Sequence, residues 1–463
     1  MRRLVAVLVI AILAVSAAGL NRPSGPPGPD FDGPEPPDLG ASAGSTVWFC
    51  PWAETGSVAT TTLQLVTLST ARIAVSVPSP LPGEEPSRRS IAITNAGART
   101  QRLTDIVLQG ASPTSVEFEA GPATVSATVD GNGSFAEDAC MVAAPDQWWL
   151  VGGTTRAGRR FGIRLYNPFP DTAFVSISAV SEFGAFELLD FDSLPVAGRG
   201  WVDVDFTAIA QNLDDLILKI TTTDGTVFPS GLLTTEGGAA VWPATGTADE
   251  WFFPVASHEQ LETELVLAAT GDVAVDVTVT VLTRDGTAQD VRRFVLDPLT
   301  PRREAFTDFQ GESFGIVVRA SEPIASAVVA GPLASSSVED EEGGSTDFSL
   351  DAAPGPLAAV SGLPHEATSW LVPGPASDAS GLSVMWLMNA GDMPATILLT
   401  PLGIQSGVQR KIVLPGGSID RVAMPFDLSI AGWQVDATRP ITVGWSQQTE
   451  DGIAFISGVD IDG

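Results

Sequence analysis

Residues 273–286 read VAVDVTVTVLTRDG, and this stretch decides the fold. Val273, Val275, Val277, Val279 and Val281 alternate with Ala274, Asp276, Thr278 and Thr280. Successive side chains on an extended backbone point to opposite faces. A period of two with β-branched residues therefore marks a strand with one buried and one wetter face. Asp285-Gly286 supplies the positive φ that turns such a strand back on itself. Upstream, DEWFFPVA (249–256) places a tryptophan at the head of an apolar run. Related runs occur at TVWFCPWA (46–53), DQWWLVGG (146–153) and TSWLVPGP (368–375).

Aligned on Trp48, Trp149, Trp251 and Trp370, the chain repeats itself. A turn follows at Thr67, Asn167, Thr270 and Asn389, at offsets of 19, 18, 19 and 19 residues. Each turn opens an apolar run: ARIAVSV, AFVSISAV, VAVDVTVTVL or ATILLTPL. Three copies then carry a basic pair, in SRRSIAITNAG (87–97), VRRFVLDPLTP (291–301) and QRKIVLPGGS (409–418). They close with Pro122, Pro323 and Pro440, at 74, 72 and 70 residues from their tryptophans. The second copy lacks the basic pair and the proline and carries TTTDGTVFPSG (221–231) at the matching place. Ordered blocks at near-constant spacing indicate repeated structural units.

A unit of about one hundred residues with several short strands has the size of an immunoglobulin-like sandwich, and a propeller blade needs about half that. The expected architecture is all-β: four tandem Ig-like antiparallel β-sandwiches at 45–146, 147–248, 249–334 and 367–463. Residues 335–366 begin acidic and Ser/Gly-rich and are expected to be a loop or linker. FTAIAQNLDDLI (206–217) is the one short helical candidate. Trp149 is expected in the core of the second sandwich with Trp148 on the opposite face, at the joint with the first.

IRLYNPFPDTAFVSISAVSEFG (163–184) and RKIVLPGGSIDRVAMPF (410–426) carry a resemblance across most of residues 45–460. The block order resembles that of actinobacterial exported or membrane-anchored proteins that carry a repeated domain of unknown function. The resemblance implies an envelope location and β-sandwich modules, and it implies no catalytic residues.

The composition fits a folded, turn-rich chain. Of 463 residues, 44% are hydrophobic and 17% charged, with 46 glycines and 35 prolines. The net charge of −31, with Lys219 and Lys411 the only lysines, would repel nucleic-acid phosphates, so no nucleic-acid partner is expected. Arg2 and Arg3 precede the uncharged run from Leu4 to Leu20, as in an export signal or a retained signal-anchor. The rest of the chain then faces outward, and the membrane is met only through residues 1–20 if they are uncleaved. Residues 21–44 are rich in proline and glycine and read as a linker. Outside the cytoplasm thiols oxidise, so Cys50 and Cys140 are expected to form a disulfide joining the two ends of the first module.

Catalytic and metal signatures are weak. HEQLE (258–262) shares only the start of a zinc-protease motif, and His258 and His365 are the only histidines. DGNGSFAED (130–138) spaces Asp130, Asn132 and Ser134 as in a calcium loop, but Met141 stands where the closing glutamate belongs, so a hairpin turn is the better reading. Glu182, Glu187, Asp190 and Asp192 cluster on one hairpin and read as a solvated face. No cofactor and no metal are expected. Trp52, Trp148, Trp201 and Trp433 are the candidate ligand or interface aromatics, because an exposed indole can stack on a sugar ring. The expected function is a non-enzymatic exported envelope scaffold or spacer with an unknown protein or glycan partner. Glycan or cell-wall binding through exposed tryptophan is the alternative, and a glycoside hydrolase is a remote one.

Overall fold

The computed structural model describes residues 45–55, 59–81, 84–107, 110–111, 113–131, 134–257, 261–286, 288–309, 312–332, 355–374, 381–403, 408–424 and 430–461. The expected signal and linker at 1–44, most of the acidic stretch, Asn132 and His258 lie outside these residues. The described elements are almost all strands, with three short 3-10 turns and one α-helical turn at Phe206–Ile209, inside the segment that suggested a helix.

The alternating valines of 273–286 form the strand Val275–Thr283, whose Val275, Val277, Val279 and Val281 are buried. It returns as Ala288–Leu296 through Gly286, which has φ +76°. One strand order occurs four times. The tryptophan strands are Thr46–Cys50, Gln147–Gly153, Ala248–Phe253 and Ala367–Pro373, and each pairs antiparallel with the fourth sequence block. That block also pairs with the strand after the turn, at Ala71–Val77, Ala173–Ser181, Val275–Thr283 or Ala395–Gly403. The outermost strand of three of these sheets holds the basic pair: Arg88-Arg89, Arg292-Arg293 or Arg410-Lys411. Charge on an edge strand discourages pairing with another chain, which gives these pairs a structural reason.

A second sheet forms around the strand before each turn, at Ala59–Thr67, Arg160–Asn167, Leu261–Ala269 and Gly381–Asn389. Here too the fourth block is a neighbour, because it crosses from one sheet to the other. In the third and fourth copies it is continuous, as Phe314–Pro332 and Ile430–Thr449. The prolines stand at the crossing, where Pro323 and Pro440 are exposed. Proline has no N–H to give a ladder, so it is tolerated where the pairing changes hands. The turns are tied to other blocks. Thr67 Oγ1 donates to the Pro122 carbonyl at 3.3 Å, and Thr270 Oγ1 to that of Pro323 at 3.0 Å. Asn389 Nδ2 donates to the carbonyls of Met393 and Leu414, while Asn167 Nδ2 donates to those of Asp171 and Val196.

The strand order is not that of an immunoglobulin domain. There the first and second strands share a sheet. Here the first long strand, Thr46–Cys50, and the second, Ala59–Thr67, lie in different sheets, as do Gln147–Gly153 and Arg160–Asn167; in the third and fourth copies the continuous crossing strand joins the two sheets into one. The sandwich size was legible from the spacing, but the order depends on the crossing strand, which repeat length does not encode.

The largest buried clusters follow the four sheet pairs, and further clusters seal the seams between them. Trp52 and Ala136 meet Ala239 and Val241. Trp149 and Ile217 meet Val266 and Ala327. Met388 and Ile419 join the third core. Val66 meets Leu371 and Leu402, which brings the last sheet pair back to the first. The closing strands, Ser134–Ala139, Gly238–Pro243, Ala358–Ser361 and Ile453–Ser457, touch in that order and the last touches the first. Leu39–Gly463 is thus one compact unit closed on itself.

Two further expectations are corrected. Residues 335–366 are not linker throughout, since Ala358–Ser361 is a strand paired with Phe314–Pro332. Its side chains alternate between two cores: Leu357 and Ala359 enter the second, Ala358 and Val360 the third. Trp148 and Trp149 do point to opposite faces, but the faces are exchanged. Trp148 packs on Phe228 in its own core, and Trp149 fills the seam with the third sheet pair. The outer face of this strand is covered rather than wet, so alternation alone could not assign it. The covering strand comes close: a Cβ on Gly152, at φ +97°, would lie 2.6 Å from Val329 Cγ2.

Candidate functional site

The aromatic residues singled out in the sequence are covered. Trp148 and Trp433 sit in the second and fourth cores. Trp52 is 6% exposed, and Trp201 is half-buried. These last two come together around Arg164, whose guanidinium carbon lies 4.1 Å from the Trp52 ring centre and 6.0 Å from that of Trp201. Arg164 is placed by its strand, where it pairs directly across from Asp203. Its Nε and Nη2 donate to the two Asp203 carboxylate oxygens at 2.7 and 2.9 Å, and Nη1 donates to the Pro51 carbonyl at 3.4 Å. The face a sugar ring would need is occupied by this guanidinium, so the tryptophans form a joint.

The disulfide stands beside that joint. Cys50 and Cys140 are bonded, with Cα atoms 4.4 Å apart across a sequence separation of 90. Their neighbours Phe49 and Met141 pair through mutual backbone hydrogen bonds of 2.8 Å. The Phe49 ring stacks on Phe228 of the second sheet pair at 4.0 Å. The bond therefore holds both ends of the first sheet pair against the second.

The other candidates resolve into local structure. Asp130 and Ser134 flank a hairpin in which Gly131 pairs with Ser134. Glu182 accepts the backbone N–H groups of Asp214 and Asp215. His365 Nε2 lies 2.8 Å from Asp460 Oδ2, and its ring stacks over Trp370. Among the described residues no group of three His, Cys, Asp or Glu side chains is arranged to hold a metal ion.

One polar cleft was not anticipated. TTRAGRR (154–160) faces the turn that follows Phe206–Ile209, around a cavity of about 500 Å³ lined by Arg156, Arg159, Arg160, Gln211, Asn212 and Thr234 among others. Thr154 Oγ1 donates to the Leu213 carbonyl, Thr155 Oγ1 donates to that of Ala210, and the Leu213 N–H donates to Thr155 Oγ1. The loop is thereby fixed. Its arginines differ. Arg156 is bonded to Asp214, which raises the arginine and lowers the carboxyl from their ordinary pKa values. Arg160 pairs with Asp205 at 3.1 Å. The Arg159 side chain makes neither a hydrogen bond nor an ion pair among the described residues, its Nε is buried without an acceptor, and desolvation pulls its pKa down against the opposing charge of Glu264. Behind the cleft, Arg303 Nη1 reaches Glu264 at 2.6 Å and Nη2 reaches Asp215 at 2.7 Å, linking the second and third sheet pairs. Burial opposes the Arg303 charge, but these two carboxylates outweigh it and raise its pKa. The sequence signal was present: three arginines within five residues of a strongly acidic chain.

Strand order and seams together define a closed all-β assembly with a stapled joint and one arginine-lined cleft. The chain belongs to a family of unknown function, DUF5719, which matches residues 94–396. That stretch begins inside the first sheet pair and ends inside the fourth. No curated protein matches the chain. Among solved structures, the crystal structure of Thermotoga maritima 1070 is similar at 16% identity over 20% of this chain and 87% of that one, with a TM-score of 0.17.

Proposed function

We propose that this chain is an exported protein of an actinobacterial cell envelope, acting without catalysis as a scaffold of four β-sandwich modules. The closing strands carry the reading. Four sheet pairs that meet through buried seams and return to the first make a rigid platform, whereas a spacer has to be extended. The disulfide fits an oxidising compartment, and the acidic surface fits a solvated exported protein. Glycan binding through tryptophan loses its main support, because Trp52 and Trp201 are engaged by Arg164. The partner is an envelope protein or glycan.

Two measurements test this reading. Fractionated cells should yield the chain with the envelope or medium, with both cysteines resistant to alkylation until reductant is added. Two free thiols, or recovery with the cytosol, would overturn the compartment. Cross-linking in intact cells should capture one recurring envelope component, and loss of that capture when the ring is opened by Val66→Asp would support the scaffold. Capture indifferent to ring opening would count against it.

A further inference from the structure

We propose that the ring is a clasp, which opens and recloses at the seam between the fourth sheet pair and the first and is latched there by residues 459–461. The four seams are equivalent in place but not in chemistry. Between the first and second pairs stand the Phe49–Phe228 stack, the Trp52–Arg164 contact and the Arg199–Glu85 ion pair. Trp149 fills the next seam, and Arg303 reaches Asp215 across it. At the third, Trp386, Met388 and Ile419 of the fourth pair enter the third core, and Asp420 pairs with Arg284. Each of these three seams joins sheet pairs that follow one another in the chain. The last joins the fourth to the first, so parting it leaves the other three in place.

The first pair meets this seam with a polar face. Ala59–Thr67 and Ala123–Gly131 pack there on Ala367–Pro373. Thr62, Gln64 and Val66 share the face, and Thr128, Ser126 and Thr124 stand directly across from them. All six are buried, and five of them are polar. The Gln64 amide is bonded by Ser126 and Thr128 within its own sheet, so it needs nothing from the fourth pair. Thr124 Oγ1 is buried without a partner among the described residues and gains one from water when the seam parts. Wetting such a face costs far less than exposing the indoles of the second and third seams. Among the described residues the buried apolar contact is confined to Val66, Leu371 and Leu402, with Leu68, Ala98 and Ile461 at its margin.

A short strap completes the closure. Val459–Asp460 pairs with the Trp370 strand at Leu371 and Trp370. From there Val459 packs on the first core and Ile461 on the Val66 cluster. A two-residue ladder is a local hold, and elements held locally open at lower free energy than the whole fold. The closed ring is the resting state and the open one a minor state in exchange with it.

The test is thiol labelling of the full chain under native conditions. Cys50 and Cys140 are bonded to each other, so a single introduced cysteine reports its own seam. Val66→Cys and Leu402→Cys should show similar protection and label about a hundredfold faster than Val266→Cys and Met388→Cys in the second and third seams. Their labelling should also depend less steeply on denaturant, because parting one seam exposes less surface than unfolding. Ile461→Ala should speed both by about tenfold and leave Val266→Cys unchanged. If a melt shows Val66→Cys unfolded, Leu371→Cys reports the same seam. Equal protection at all positions, or labelling at 66 and 402 that follows global unfolding, overturns the clasp. Fast labelling at only one of 66 and 402 is fraying of one strand and overturns it too. No effect of Ile461→Ala overturns the latch. A ring that fails this test remains the closed platform proposed above, so the scaffold reading stands or falls separately.

Discussion

Arg164 lies 4.1 Å above the ring of Trp52, and the two residues belong to different sheet pairs. The contact converts an indole that looked available for a ligand into one half of a joint. Stacking of a desolvated guanidinium on tryptophan is worth about 2 kcal/mol. Arg164 is almost fully buried while its partner Asp203 is half-exposed, so the two ends of the ion pair should respond differently to removal. Arg164→Ala should cost about 2–4 kcal/mol, since it removes the stack, the bidentate bond and buried side-chain volume. Asp203→Ala leaves the stack in place but strands the buried Arg164 charge without its carboxylate, and should cost at least as much, about 3–5 kcal/mol. Denaturant unfolding of both variants, with Trp52→Ala and the Arg164→Ala/Trp52→Ala double variant completing a cycle, checks this. A coupling energy near zero between Arg164 and Trp52 would rule out the stack as a source of stability.

The staple should matter through the same joint. Closing a loop of this length contributes about 4–5 kcal/mol in the chain-entropy model. Because Phe49 and Met141 flank the bonded cysteines and Phe49 stacks on Phe228, reduction should loosen the seam as well as the first core. Hydrogen exchange of the protein with and without reductant should show lost protection in 46–50 and also around 228. Loss confined to the first sheet pair would mean that the joint does not depend on the bond.

How much of this was legible follows from what each pattern encodes. The valine alternation at 275–281 specified a strand because one face is buried and the other wetter. The spacing of Trp48, Trp251 and Trp370 placed three indoles in three separate cores. The same rule misplaced Trp149, because its strand is covered on both faces and a two-sided apolar run does not name its core. Ala358–Ser361 was hidden for a related reason: a short apolar strand after an acidic stretch carries no period of its own. The cleft depends on Arg159 lacking the carboxylate that Arg156 and Arg160 each found, a distinction that exists only in three dimensions.

Trp148 and Trp149 provide a direct test of the exchanged faces. Truncating either to alanine should cost about 3–5 kcal/mol, as for large buried aromatics. Their effects should differ in place. Trp148→Ala should raise hydrogen exchange within the second sheet pair, around Phe228, whereas Trp149→Ala should also raise it at Val266 and Ala325–Ala327 across the seam. Identical exchange maps for the two variants would contradict the assignment.

The carboxyl of Glu366 gives a pH dependence with a definite sign. Desolvation raises its pKa above 4.5, against a hydrogen bond from the Ala390 N–H that works the other way. An acid whose folded pKa exceeds its unfolded one favours folding fully only below the unfolded value. That contribution is lost as pH rises through the folded value. Glu366→Gln keeps an acceptor for Ala390 and removes the charge. It should therefore raise the melting temperature at pH 7, with a gain that shrinks as pH falls through the raised folded value and is gone below about 4.5. A gain of constant size across this range would mean that burial of the charge is not its cause.

Ring closure is open to a solution measurement. A compact body of the size of Leu39–Gly463 should have a radius of gyration of roughly 22 Å, and four sandwiches in a row should give roughly twice that. The seam of Val66 with Leu371 and Leu402 is what separates the two shapes, because it joins the first sheet pair to the last. Val66→Asp buries an unpaired charge there, and opening the seam is the way to hydrate it. Small-angle scattering of this variant should show an increased radius, with the four cores still melting cooperatively. A variant that keeps the wild-type radius while losing stability would place the closure in the central strands rather than in this outer contact.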